Sequence, residues 1–231
     1  MNRATGQPLA RERAHRIAEA FRPESRAGNR WNYYYTRGKL GSDPLYPAVA
    51  EALRGTSAPV LDLGCGLGLL AHTLREDGLD LPYRGVDIDA RKIAHATRIA
   101  ARAGLRDVAF EAVDLTHGLP AHRGSVAVLD VLQYVDAEAQ ARIVEGAIAM
   151  LAPGGRLVIR TGLDDGGTRA RFTHFTDVLG RLSGWMHSAP RRYPRADELR
   201  ARLDAAGLAS DFVPLYGNTP FNNWRIVARR D

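Results

Sequence analysis

The chain has 231 residues, a formal net charge of +6 and one cysteine; 45% of its residues are hydrophobic and 25% charged. That is the make-up of a water-soluble globular domain with room for a sizeable core. It excludes a disulfide framework, since Cys65 has no partner in the chain, and a zinc site, since no Cys/His cluster has the spacing for one. The lone cysteine suits a reducing cytoplasm, no stretch approaches the ~20 apolar residues of a membrane span, and the arginine-rich start carries Glu12 and Glu19 with no apolar region of a signal peptide behind it. The basic residues are almost all arginine, with Lys39 and Lys92 the only lysines, and are spread along the whole chain, so they mark no nucleic-acid-binding face.

In chain order, residues 8–21 read as a short charged helix that Pro23, Gly28 and Asn29 end. An aromatic cluster follows, with Trp31, Tyr33, Tyr34 and Tyr35 leading into Arg37, Lys39, Asp43 and Pro44, and then a helix over about 45–54. From there strands and helices alternate: strand 60–63, helix 68–77, strand 83–88, helix 91–103 closed by Gly104, strand 108–113, strand 126–129, helix 137–150 and strand 156–160. The run at 126–129 is continuously apolar, as a parallel strand covered on both faces is. Strands separated by helices of 10 to 14 residues predict βαβ units and a doubly wound parallel sheet. Residues 162–194 break the rhythm, with one helix expected near 169–182; a helix over 195–206 and strands near 209–215 and 224–229 then suggest an antiparallel hairpin at the sheet edge.

The most informative stretch joins the first strand to its helix: Val60-Leu61-Asp62-Leu63-Gly64-Cys65-Gly66-Leu67-Gly68-Leu69-Leu70-Ala71. Three alternating glycines allow positive φ and a close approach to a ligand, and the helix behind them directs free N–H groups at the same spot. Cys65 supplies the small side chain such a turn needs. Two cofactors compete for the site. Gly66-x-Gly68-x-x-Ala71 fits a dinucleotide fingerprint, with Asp87 about 20 residues on. Asp62 argues for the other, S-adenosylmethionine: a carboxylate at the head of the turn suits an ammonium group and repels a diphosphate. Asp87 ends the second strand, where it can accept two ribose hydroxyls; Asp114 ends the third, suited to an adenine amino group; Asp130 ends the fourth. Asp89 is expected to cap the helix near Arg91, and Asp130 is equally able to serve as a backbone acceptor at a strand end.

With these landmarks and Leu151-Ala152-Pro153-Gly154-Gly155 before the fifth strand, the chain resembles the class I S-adenosylmethionine-dependent methyltransferases over about 45–161 and the final hairpin. The resemblance implies a Rossmann-like α/β sheet of seven strands, the last antiparallel. It implies cofactor contacts from Asp62, Gly64, Cys65, Gly66 and Gly68, ribose binding by Asp87, adenine contacts from Ile88, Asp114 and Leu115, and Asp130 and Val131 near the donor methyl. It also implies transfer of a methyl group from S-adenosylmethionine, leaving S-adenosylhomocysteine.

Two segments outside that core suit an acceptor pocket: an N-terminal helical and aromatic segment, 1–44, ahead of the methyltransferase domain at 45–231, and a cap insertion at 162–194. Trp31, Tyr34, Tyr35, Phe172 and Trp185, with Gln133 and Tyr134 after the fourth strand, would enclose a small planar acceptor, and His174 or His187 would take its proton, because Gln133 cannot act as a base. Residues 29–46 are similar to the leader of methyltransferases of bacterial aryl-polyene pigment biosynthesis, which implies a phenolic acceptor, free or bound to an acidic acyl carrier protein. An RNA or protein methyltransferase and a non-catalytic cofactor-binding protein on the same core are the competing readings.

Overall fold

A computed structural model describes residues 6–25, 28–164, 192–217 and 222–230. Its elements are α1 (Arg11–Glu19), α2 (Trp31–Ser42), α3 (Leu45–Leu53), β1 (Val60–Leu63), α4 (Leu69–Glu76), β2 (Tyr83–Asp87), α5 (Ala90–Arg102), β3 (Val108–Ala112), β4 (Ser125–Leu129), α6 (Ala137–Ala149), β5 (Leu157–Gly162), α7 (Ala196–Ala205), β6 (Ala209–Pro214) and β7 (Asn223–Arg229). The strands form one sheet in the order β3-β2-β1-β4-β5-β7-β6. The first five run parallel, and β7 runs antiparallel to both β5 and β6. The doubly wound sheet and the closing hairpin are as the alternation predicts, and the strand order reverses between β1 and β4, the place where such sheets open a crevice for ligands.

Burial follows position in the sheet. Central strands β1, β4 and β5 are covered on both faces, whereas the edge strands β3 and β6 are partly exposed. One core, built on Leu61, Val126, Val128, Leu157, Ile159 and Ile226, packs under α6 and α7; the other, with Val60, Leu74, Ala127 and Val158, packs under α3 and α4. Helix α3 hangs from the sheet by arginines: Arg156 of the loop before β5 donates to the Ala52 carbonyl, and Arg225 of β7 to that of Ala48 at 3.4 Å. Arg156, beside one of the last carbonyls of α3, also matches the helix dipole.

The aromatic run at 31–35 lies inside a helix, which the periodicity did not announce. Tyr33, Thr36 and Leu40 of α2 face inward, while Trp31, Tyr34 and Tyr35 on the other side are 51%, 52% and 41% exposed. With large apolar groups on both sides, α2 has no single apolar stripe to reveal it. A third cluster, including Ile17, Phe21, Leu40, Leu69 and Ile99, fastens α1 and α2 to α4 and α5. Salt bridges add to it: Arg13 meets Asp77, and Arg16 and Arg54 meet Glu76 at 2.6 Å and Asp77 at 3.1 Å. These arginines offset two carboxylates placed unfavourably at the end of α4.

Candidate functional site

The turn between β1 and α4 is built by its neighbours. Gly64, Gly66 and Gly68 have φ of +80°, +55° and +73°. A Cβ on Gly64 would stand 2.3 Å from Val131 Cγ2, just past β4, and one on Gly68 2.6 Å from the Phe110 ring in the middle of β3, so both are packed against side chains of other segments. Gly66 differs: a Cβ there would meet nothing within 4 Å, which leaves its surface open to a ligand.

The N–H groups of the turn residues ahead of α4 are engaged within the protein. Those of Gly64 and Cys65 donate to the Val86 carbonyl at 2.7 and 2.9 Å, that of Gly68 to the Cys65 carbonyl at 2.9 Å, and that of Gly66 to Asp87 Oδ2 at 2.9 Å. A diphosphate cradle needs such groups pointing outward. Here four of them are spent inside the protein, and a carboxylate occupies the turn's own hydrogen-bonding centre.

Asp62 lies within β1 and is 2% exposed. Its Oδ2 accepts a 2.6 Å hydrogen bond from the Tyr83 hydroxyl, while its Oδ1 is buried without a hydrogen-bond partner. Burial pushes its pKa up to about 7, against the Tyr83 hydrogen bond, which lowers it. A buried acceptor left open in this way is costly unless a donor arrives, and an ammonium group is the donor that would restore the charge. Asp87 holds the turn by accepting from Gly66, and its Oδ1 accepts from the Asp89 N–H at 2.9 Å, so each oxygen keeps a lone pair to offer. Ile88 beside it is 68% exposed. Asp89 caps α5 through the N–H groups of Arg91 and Lys92, as expected.

The remaining named residues are placed as follows. Asp114 accepts from the N–H and hydroxyl of Thr116 and from His117, and these bonds, led by the Thr116 hydroxyl, lower its pKa. Leu115 and Val131 pack onto the main core. Gln133 is buried, its Oε1 accepting from the Thr161 hydroxyl at 3.2 Å, and Tyr134 lies next to it in a short 3₁₀ turn. Phe172, His174, Trp185 and His187 lie outside the described residues, as does the helix expected near 169–182. A cleft of about 360 Å³ beside α5, lined by Trp31, Asn32, His95 and Arg98 among others, includes none of the glycine-turn residues.

Sequence reasoning missed a charged cluster around Asp130. This residue has φ +58°, unusual for any residue but glycine. The Arg160 guanidinium donates to Asp130 Oδ2 and, at 3.1 Å, to Asp43 Oδ2; Lys39 Nζ lies 2.6 Å from Asp43 Oδ2 and 3.7 Å from Asp130 Oδ2. Burial opposes charge on all three partners, yet Asp130 and Asp43 keep Lys39 and Arg160 protonated, and the two cations lower the Asp43 pKa. One signal was available: an arginine in the otherwise apolar start of the strand Leu157-Val158-Ile159-Arg160.

Comparison with known proteins places this chain in a family. The profile of the methyltransferase domain family matches residues 55–175. A ubiquinone biosynthesis O-methyltransferase from Xylella fastidiosa is 32% identical over 191 residues, 79% of this chain and 74% of that protein. One from Psychrobacter cryohalolentis is 31% identical over 108 residues, 44% of this chain and 40% of that protein. Among solved structures, magnesium protoporphyrin IX methyltransferase from Synechocystis, with S-adenosylhomocysteine bound, has a TM-score of 0.63 at 16% identity, over 95% of this chain and 93% of that one. An O-methyltransferase family protein from Burkholderia thailandensis has a TM-score of 0.65 at 21% identity, over 92% and 64%. At these identities the structural likeness speaks for the fold alone. With the profile match, the relative covering most of the chain and the seven-stranded sheet, the chain belongs to the methyltransferase domain family and is a class I S-adenosylmethionine-dependent methyltransferase.

Proposed function

We propose that the acceptor is a small aromatic hydroxyl compound and that the cofactor rests on the glycine turn. The observation that carries this is the turn itself: an open surface over Gly66 flanked by the free oxygen of Asp62 and by Asp87, with the N–H groups of Gly64, Cys65, Gly66 and Gly68 turned inward. In this reading Asp62 Oδ1 takes the ammonium group, Gly64, Cys65, Gly66 and Gly68 give their backbone surface, and Asp87 takes the ribose hydroxyls. Ile88, Asp114 and Leu115 hold the adenine, and Asp130 and Val131 flank the reacting end. When bound, S-adenosylmethionine supplies a methyl group on a sulfonium, a leaving group already activated.

The protein's share is then alignment and exclusion of water, and alignment alone is worth up to ~7–11 kcal/mol. Trp31, Tyr34 and Tyr35 expose aromatic surface on α2, suited to a planar ring, and the O-methyltransferase relatives favour oxygen as the methylated atom. A phenol needs its proton removed at neutral pH. Gln133 is an amide held by Thr161 and does not do this; the base candidates remain His174 and His187. Residues 1–44 serve as the acceptor-side segment and 45–231 as the cofactor domain with its insertion at 162–194. An acidic carrier presenting the acceptor would match the arginine-rich surface, and a cytoplasmic setting fits a chain in which no described helix is long and apolar enough to cross a membrane.

Incubation with methyl-labelled S-adenosylmethionine and a set of catechols, other phenols and total RNA tests this. Label on a phenolic oxygen is expected. Transfer to RNA alone, or cofactor binding with no transfer to any of them, would overturn it.

A further inference from the structure

We propose that Arg160 is a positioning residue for methyl transfer: by gripping Asp130 and Asp43 together it fixes helix α2, the acceptor-side wall, against the carboxyl ends of β4 and β5. The role of α2 as that wall rests on the function proposed above; the grip itself does not.

Stability does not demand an arginine here. β5 is covered along its whole length, and buried ion networks replaced by well-packed apolar side chains commonly lose nothing. What an apolar residue cannot do is join three distant segments. The planar fork of an arginine reaches two carboxylates at once: Asp130, just past β4, and Asp43, between α2 and α3. Lys39, in the last turn of α2, closes the cluster by meeting the same two oxygens.

The joints on either side are tight. Asp43 Oδ1 accepts the Leu45 N–H at 2.9 Å, so the residue that Arg160 holds also starts α3. The Asp130 N–H donates to the Arg160 carbonyl at 2.8 Å, clamping backbone as well as side chain at a residue already in the left-handed region. The next residue, Val131, fills the space that a side chain on Gly64 would need. At its other end α2 is tied to α5 by Asn32 Nδ2 and His95 Nε2, 2.9 Å apart. Helix α2 thus runs from α5 to the end of β4 with both ends fixed, and Tyr34 and Tyr35 lie between those ties.

The test uses the whole chain and the variant Arg160→Lys, which keeps the charge but lacks the fork. Three quantities are measured: S-adenosylhomocysteine affinity by calorimetry, the single-turnover rate of methyl transfer to a catechol, and amide hydrogen exchange over residues 31–42 with S-adenosylhomocysteine bound. Expected are affinity within threefold of wild type, a rate at least tenfold lower, and α2 amides exchanging at least tenfold faster. The proposal is overturned if rate or α2 exchange stays at the wild-type value, or if affinity falls by the same factor as the rate, which would make Arg160 part of the cofactor site. Should Arg160→Lys not fold, Asp43→Asn removes the charge of one of the two carboxylates that the arginine holds, and at least a threefold change in rate and exchange is then required. If the wild type methylates no catechol, the acceptor reading alone fails, and α2 exchange still decides this one.

Discussion

At the residue scale, two buried titrations pull against each other. Asp62 has its pKa raised by burial to about 7, so the folded protein binds a proton more readily than the unfolded chain, and stability falls as pH rises from about 4 to 7. His72, buried on α4 with Nε2 unpartnered and its ring 5.0 Å from that of Phe21, is lowered by burial to about 4. Its contribution has the opposite sign, full above pH 6.5 and lost as pH falls towards 4, on the order of 3 kcal/mol in all. The wild type should therefore unfold with little pH dependence between 4 and 6.5, and His72→Leu should unmask a loss of stability on raising the pH, seen in urea midpoints at pH 4.5 and 6.5. A cofactor ammonium would also draw the proton off Asp62. Affinity for S-adenosylhomocysteine is then expected to weaken below pH 7 and to be flat above it, with proton release visible by calorimetry in buffers of different ionisation heat; Asp62→Asn should abolish that release. Asp87→Ala should cut affinity at least tenfold, since Asp87 both braces Gly66 and offers its remaining lone pairs; unchanged affinity would remove it from the ribose site. The places of Asp62 in β1 and of Asp87 at the end of β2, and the Asp89 cap, were legible in the sequence because local chemistry defines them. The Tyr83 bond to Asp62 was not, because it crosses between strands.

Among the elements, the glycine turn gives the sharpest test. Gly64→Ala meets two obstacles, a left-handed backbone at φ +80° and the Val131 methyl. The backbone alone costs roughly 1–2 kcal/mol for a residue with a Cβ. Val131→Ala in the same chain should recover the steric part and leave that remainder, so the double variant is expected to melt above Gly64→Ala and below Val131→Ala; no recovery would mean that the methyl is not the obstacle. The β1 and β4 cores were legible as short apolar runs, since strands buried on both faces need no alternation. α2 was not, because its two aromatic faces cancel the helical signal that amphipathic α5 shows plainly.

For the molecule as a whole, the doubly wound sheet followed from the alternation of patterns, whereas the reversal between β1 and β4 that opens the crevice is seen only in the sheet itself. The cluster of Lys39, Asp43, Asp130 and Arg160 could not be read from the alternation either, because four residues scattered over more than half the chain meet only after the sheet has closed. Ligands that bind only the folded form raise its melting temperature, so S-adenosylhomocysteine should raise it and NADH should not; a shift with NADH alone would contradict the reading of the turn. The sheet order also bears on synthesis. β7, the last of the described strands along the chain, is slotted between β5 and β6. While a ribosome still holds residues 223–229, the far side of β5 has no neighbour and β6 has no place to dock. Chains halted before that point would carry naked strand margins prone to sticking to one another, which makes the interval between the making of β6 and of β7 the hazardous one for this sheet.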